Sequence, residues 1–138
     1  MPPEKGWPAL RQWPAFAGYA LRAVAQLGLG RYYLGALSVP QMLARNKPAE
    51  DELTEGARRH VAWVSYTVPR IARIVPWRSD CLVQALAAQH WLARADIGSE
   101  IEIGVERPQE GGFGAHAWLR CGTDIVTGGS VDRYTQIV

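Results

Sequence analysis

The chain has 138 residues, of which 48% are hydrophobic, and this is the size of one ordinary domain with a core large enough to fold alone. Its 15 basic and 13 acidic residues leave a net charge of +2, and no run of Lys or Arg stands out, which argues against a nucleic-acid-binding protein. We therefore expect a single domain over 1–138, with a mainly helical part over 1–75 and a further helix and a sheet over 76–138.

The first third of the chain has the periodicity of helices. Apolar residues recur at spacings of three and four over 14–27, which predicts a helix that Gly28 and Gly30 interrupt. A second, shorter apolar piece over 32–43 is expected to break at Pro40. These helices are interpreted as scaffold.

Two further helices are predicted before the sheet. The cleanest apolar stripe of the chain lies over 53–68, and Pro69 should kink or end that helix. The last helical pattern covers 81–95, with Ser79 or Asp80 as its N-terminal cap.

The last third of the chain changes to the two-residue period of strands. EIEIGV over 100–105 alternates apolar and polar positions, and FGAHAWLRC over 113–121 alternates again. Gly122 and Thr123 can close a hairpin into the segment DIVTG. Helices followed by strands predict an α+β fold, in which a helical N-terminal half packs on a small antiparallel sheet.

The cysteine content and the N-terminal stretch bear on the compartment. Cys81 and Cys121 are the two cysteines, and MPPEKGWPALRQW lacks the basic start and unbroken apolar core of a signal peptide. Arg22, Gln26 and Arg31 interrupt the most apolar early stretch, which argues against a bilayer span. We expect a cytoplasmic protein with reduced thiols, and a peripheral membrane contact is a minor alternative.

Cys81 is predicted to lie in the first turn of a helix, where unsatisfied backbone N–H groups carry partial positive charge. Such a position stabilises a thiolate, and the same N–H groups can hold the oxyanion formed when sulfur attacks a carbonyl. His116 lies mid-strand on the face it shares with Trp118, and small neighbours leave room for a helix end to approach. A helix-borne Cys followed by a strand-borne His is also how transglutaminase-like and papain-type enzymes order their sites.

Each of these residues also has a purely structural interpretation. A lone Cys near a helix start is more often a small buried residue than a catalyst, and a lone His on a strand is usually structural. His60 and His90 fall within helical patterns, and Cys121 lies at a hairpin corner. A zinc site from Cys81, Cys121, His116 and His90 is disfavoured because no close-spaced ligand pair such as C-x-x-C is present, and we expect no metal or cofactor.

Four segments of the second half carry a family resemblance: PWRSDCLVQALAAQHWLAR, IEIGV, GFGAHAWLRC and IVTGG. In this order they resemble the transglutaminase-like leader peptidases of lasso-peptide biosynthesis, from about Val75 to the C-terminus. The resemblance implies a transglutaminase/papain-like core with Cys81 as nucleophile and His116 as base. It also implies that the substrate is a ribosomally made precursor peptide, whose leader is removed before an ATP-using partner cyclises the core.

The third catalytic residue is where the chain departs from this family, which has an Asp near the position opposite the His. If the hairpin turn has two residues, counting along the ladder sets Gly129 opposite His116. The carboxylate that orients the imidazole is then absent or is supplied by Asp132, which ranks first, with Ser130 as a weaker substitute. Asp124, at the far end of the hairpin, is expected to be too distant.

The sequence is therefore interpreted as a cysteine endopeptidase that cleaves one bond of a precursor peptide. The resemblance implies a separate leader-recognition protein as a partner, and the ATP-dependent lasso cyclase is a further candidate. Trp7, Trp13, Tyr32 and Tyr33 are candidates for the partner contact, although core packing is the commoner fate of each. Two alternatives stay open. One is a non-catalytic peptide-binding module, favoured by the missing Asp, and the other is an acyltransferase in which an amine resolves the acyl-enzyme.

Overall fold

The structure is a computed structural model that describes residues 1–106, 115–129 and 134–137. A 3₁₀ turn at Leu10–Gln12 precedes the helices α1 (Trp13–Ala36), α2 (Val39–Leu43), α3 (Glu55–Ala72) and α4 (Cys81–Ala93). The strands follow as β1 (Glu100–Glu106), β2 (Ala115–Cys121), β3 (Asp124–Thr127) and β4 (Tyr134–Gln136). The strands form one antiparallel sheet in the order β3-β2-β1-β4, so the predicted α+β fold is confirmed.

Helix α1 is continuous where the sequence predicts an interruption. Gly28 and Gly30 both lie inside it. A Cβ atom on Gly30 would lie 2.6 Å from the carbonyl oxygen of Val83 and 3.1 Å from the backbone nitrogen of Ala87. The predicted break is therefore wrong, because Gly30 allows α1 to approach the backbone of α4 closely and this packing overrides the low helix propensity of glycine.

The two prolines also act differently from the prediction. Pro40 lies in the first turn of α2, after the cap residue Ser38, where its missing N–H costs no hydrogen bond. Pro69 lies inside α3, which continues to Ala72. The piece over 32–43 does break, but at Leu37 and Ser38 and not at Pro40, and α3 does not end at Pro69.

Helix α4 is central to the core. It packs against α1 and α3 on one side and against β2 on the other. Val83 and Leu92 of α4 are completely buried, as is Leu119 of β2. The start of α4 is thereby fixed relative to the sheet. Within the described residues, no helix is both long enough and apolar enough to cross a membrane.

The predicted hairpin forms between β2 and β3, but its register carries one irregularity. Cys121 pairs with Asp124 across a two-residue turn, as expected. The register then shifts, because Leu119 pairs with Thr127. One extra residue therefore bulges from β3, and the count that sets Gly129 opposite His116 is wrong by that residue.

Strand β4 has no counterpart in the sequence prediction. Its three residues pair antiparallel with the end of β1, with Gly104 opposite Gln136. On its other edge β1 pairs with β2, where Gly104 lies opposite His116. The strand that carries His116 is therefore internal to the sheet, between β1 and β3.

Candidate active site

The start of α4 is held by side-chain hydrogen bonds. Asp80 is the N-cap, and its Oδ1 accepts a hydrogen bond from the backbone N–H of Val83 at 3.3 Å. Nε2 of Gln84 donates to the carbonyl oxygen of Ser79 at 3.0 Å. Cys81 is the first residue of the helix and is half-buried, so its thiol lies beside first-turn N–H groups that have no partner within the helix.

The imidazole of His116 is fixed by a backbone carbonyl. Its Nε2 lies 2.7 Å from the carbonyl oxygen of Gly128. A carbonyl oxygen can only accept a hydrogen bond, so Nε2 carries the proton and donates it. In the neutral ring the basic lone pair is then on Nδ1, the nitrogen that can take a proton from a nucleophile.

The thiol and the imidazole line one cavity of about 380 Å³. The end of α3, the start of α4, strand β2 and the segment after β3 form its walls. The lining residues are Pro69, Ala72, Arg73, Ser79, Cys81, Gln84, His116, Gly128 and Gly129. The arrangement unites a nucleophile, a proton-accepting nitrogen and helix N–H donors around a space large enough for part of a peptide.

The predicted third residue, Asp132, lies outside the described residues, and so does Ser130. Asp124 lies at the start of β3 and lines a different cavity, together with Met1 and Ser65. In the described part of the chain, the group bonded to Nε2 of His116 is a main-chain carbonyl. Sequence reasoning missed it because every residue has such a carbonyl, so no residue type signals the contact.

Cys121 has a different environment from Cys81. Its side chain is 2% exposed, and its Sγ donates to the carbonyl oxygen of Gly98 at 3.5 Å. Burial, and in second place the carboxylate of Asp124, raise the pKa of the Cys121 thiol. These features favour a structural role for this thiol.

The two other histidines bind neighbouring helices together. Nδ1 of His60 lies 2.8 Å from the hydroxyl oxygen of Tyr19, and Nδ1 of His90 lies 2.8 Å from Oε1 of Gln26. Burial lowers the pKa of both imidazoles, and nearby arginines lower it further. In the part of the chain that the structure describes, no three side chains of His, Cys, Asp or Glu gather into a metal site.

The four aromatic residues singled out in the sequence differ in exposure. Trp7, Trp13 and Tyr32 are exposed, whereas Tyr33 is half-buried. The guanidinium of Arg45 lies 4.5 Å from the centroid of the Tyr33 ring. Three of the four side chains are therefore accessible on the surface of the helical half.

Comparison with known proteins gives one match. The family described as the transglutaminase-like superfamily matches residues 21–138. The matched region begins within α1 and includes α2, α3 and α4 in full. Cys81 and His116 both lie within it. No curated protein and no solved structure matches the chain.

Proposed function

This chain belongs to the transglutaminase-like superfamily, and we propose that it is a cysteine peptidase that removes the leader from a ribosomally made lasso-peptide precursor before the core is cyclised. The observation that carries the proposal is the shared cavity of Cys81 and His116. The superfamily supplies a cysteine-enzyme scaffold. The choice of a leader peptidase within it rests on the four sequence segments between about Val75 and the C-terminus.

In the proposed reaction the sulfur of Cys81 attacks the carbonyl carbon of the scissile peptide bond. First-turn N–H groups of α4 stabilise the oxyanion that forms. His116 takes the thiol proton and passes it to the leaving amine, so the C–N bond breaks and a thioester joins the leader to Cys81. His116 then removes a proton from water, which attacks the thioester and restores the thiol.

The hydrogen bond from Nε2 of His116 to Gly128 supports this assignment of roles. It selects the tautomer whose basic nitrogen is Nδ1 and limits rotation of the ring, which is the work that a carboxylate does in Cys–His–Asp sites. Asp132 stays the proposed third residue, with Ser130 as a weaker candidate. Either would add to an orientation that the main chain already supports.

The proposed partners are a separate leader-recognition protein and the ATP-dependent lasso cyclase. Trp13 and Tyr32 are exposed on the helical half and offer apolar surface for such a contact. Both cysteines are free thiols. Unpaired cysteines are the rule in reducing compartments, and we propose the cytoplasm as the place of action.

The test is a cleavage assay in which the chain is incubated with a lasso-peptide precursor and a leader-recognition protein, both to be sought among the neighbouring genes. We expect the chain to cleave one peptide bond of the precursor. Cys81→Ala should lower the rate by at least about 1,000-fold with little change in Tm. The matched control is Cys121→Ala, which should retain cleavage.

Three outcomes of this assay would contradict the proposal. Cleavage by Cys81→Ala at the normal rate would remove the proposed nucleophile. A product joined to an amine instead of water would assign an acyltransferase. Tight binding of the precursor without turnover would assign a peptide-binding module.

A further inference from the structure

A second cavity of about 380 Å³ adjoins the one that contains Cys81 and His116. Its lining residues are Gly6, Trp7, Pro69, Arg70, Arg73 and Ile74. Pro69 and Arg73 line both cavities, so the two spaces meet at the C-terminal end of α3. The second cavity therefore lies between the cavity of Cys81 and the N-terminal residues Gly6 and Trp7, with Pro69 and Arg73 as a shared wall.

The N-terminal wall of the second cavity is fixed to α3. The hydroxyl of Tyr66 donates to the carbonyl oxygen of Gly6 at 2.5 Å, and Nη2 of Arg70 donates to the same oxygen at 3.3 Å. The guanidinium of Arg70 lies 3.6 Å from the centroid of the Tyr66 ring. Trp7, the next residue, also packs edge-on against Phe16 at 6.0 Å between ring centroids. Hydrogen bonds therefore hold the backbone at Gly6, and the contact with Phe16 places the Trp7 indole.

The surface of the second cavity combines apolar and cationic groups. Trp7 is 60% exposed and Ile74 is 65% exposed, so both present uncovered apolar surface. Arg73 is exposed, and no carboxylate of residues 1–106, 115–129 or 134–137 forms an ion pair with it. Of the described residues that line the two cavities, none is acidic. This combination is complementary to a ligand that carries an apolar group beside a negative charge.

We propose that the second cavity is a substrate subsite, in which Trp7 and Ile74 bind an aromatic or large aliphatic side chain of the peptide and Arg73 pairs with an Asp or Glu beside it. The inference rests on the proposed peptidase function, because it places the scissile bond at Cys81. The proposed occupant is the substrate itself, since the subsite shares Pro69 and Arg73 with the cavity of the candidate nucleophile.

The first experiment measures binding without catalysis. The Cys81→Ala chain is immobilised and incubated with a library of randomised synthetic decapeptides, and the retained peptides are sequenced by mass spectrometry. We expect retained peptides to be enriched in Trp, Phe or Leu together with Asp or Glu at one fixed spacing. In the same background, Arg73→Glu should replace the acidic preference by Lys or Arg, and Trp7→Ala should remove the apolar preference.

Two matched controls separate the subsite from a general effect of charge or apolar surface. Arg94 is an exposed arginine at the end of α4, as Arg73 is at the end of α3, so Arg94→Glu should leave the selected peptides unchanged. Leu21 is an exposed apolar residue of α1 that lines neither cavity, so Leu21→Ala is the control for Trp7→Ala. Tm values are compared first, and Arg73→Glu, a change on the surface, remains a test of the subsite if Trp7→Ala does not fold.

The second experiment exposes the wild-type chain to the same library and identifies the cleaved bonds. For the best cleaved peptide, Trp7→Ala should raise KM by about tenfold with little change in kcat, because the subsite binds ground state and transition state alike. Selective capture, with no cleavage either of the library or of the precursor supplied with its recognition protein, would leave the subsite standing and overturn the peptidase function. Cleavage at a rate that neither Trp7→Ala nor Arg73→Glu changes would support the peptidase function and overturn the subsite. No enrichment in the capture experiment, or enrichment that survives both substitutions, overturns the subsite.

Discussion

Two cavities at opposite ends of α4 each present a histidine, but they offer different chemistry. The cavity at the start of the helix, about 380 Å³, contains His116 together with the thiol of Cys81. The cavity near its end, about 350 Å³, contains His60 together with Arg22 and Arg94, and none of the described residues that line it is a cysteine. A cavity lined by a histidine therefore occurs at both ends of α4. What distinguishes the candidate active site is a thiol placed at a helix N-terminus.

The hydrogen bonds of the two imidazoles sharpen this contrast. His116 donates from Nε2 to the carbonyl of Gly128, which leaves Nδ1 as its basic nitrogen. His60 bonds the hydroxyl of Tyr19, and burial followed by the charge of Arg22 lowers the pKa of His60. The first ring is held at the wall of the cavity that Cys81 also lines. The second ring joins α1 to α3 in its neutral form.

The largest expected effect comes from removing the imidazole of His116, with removal of the His60 imidazole as the control. His116→Ala should lower the rate of precursor cleavage by about 100- to 10,000-fold, the usual contribution of general acid–base catalysis. His60→Ala should change the rate by less than about twofold when the protein is assayed well below its Tm. A large loss of activity in folded His60→Ala would break the comparison and place chemistry at the cavity near the end of α4.

The next largest effect concerns the proposed carboxylate. Asp132→Asn should lower the rate by about 10- to 100-fold, less than the loss of His116, because an orienting residue does not itself transfer the proton. Asp124→Asn is the matched control and should be close to wild type, since Asp124 lies in another cavity. A loss confined to Asp124→Asn would mean that the orienting group is assigned to the wrong end of the hairpin.

A smaller effect is expected from the main-chain carbonyl that holds His116. Gly128 has φ of +105°, and a Cβ on it would lie 2.5 Å from the Cβ of Trp118, so Gly128→Ala must displace this segment. We expect a loss of activity of about tenfold and a lower Tm, because the carbonyl moves away from Nε2. Gly129→Ala, with φ of +67° and open space around the new methyl group, should cost only about 1–2 kcal/mol of stability. Equal activities of the two variants would show that the Gly128 carbonyl does not orient the ring.

The smallest effect is on stability as a function of pH. Burial lowers the pKa of His60 below its ordinary value of 6.5, and the charge of Arg22 lowers it further. Below pH 6.5 the unfolded chain binds a proton at His60 that the folded chain does not, so the stability present above this pH is lost as the pH falls. Tm should therefore drop between about pH 7 and about pH 5. His60→Gln should show a smaller drop, and an identical drop in both proteins would mean that His60 does not contribute.

The helix that carries the nucleophile and the hairpin were predictable because their signals are local. Asp80 caps the helix by accepting from an N–H three residues later, and Gly122 adopts the positive φ that a two-residue hairpin turn needs. The continuity of α1 was not predictable in the same way. Gly30 is a helix-weakening residue in isolation, and only the approach of α4 makes its missing side chain favourable.

The same limit of local sequence signals applies to the candidate site. Cys81 and His116 could be singled out from residue type and element, because both features are visible in the sequence. The bulge in β3, opposite Leu119 and Arg120, has no residue signature, so the register count beyond it was wrong by one. The partner of Nε2, a carbonyl after this bulge, therefore could not be inferred. Strand β4 was missed for a related reason, since its pairing with β1 is nonlocal.

The most direct test of the central claim, that Cys81 and His116 act as one unit, needs no substrate. The chain is treated with iodoacetamide at neutral pH, and the modification of each thiol is followed by peptide mass spectrometry. Cys81 should react more than about ten times faster than Cys121, whose thiol is buried and has a raised pKa. His116→Ala should slow the reaction of Cys81, whereas His60→Ala should leave it unchanged. Equal reactivity of the two thiols, or a Cys81 rate that does not depend on His116, would contradict the account.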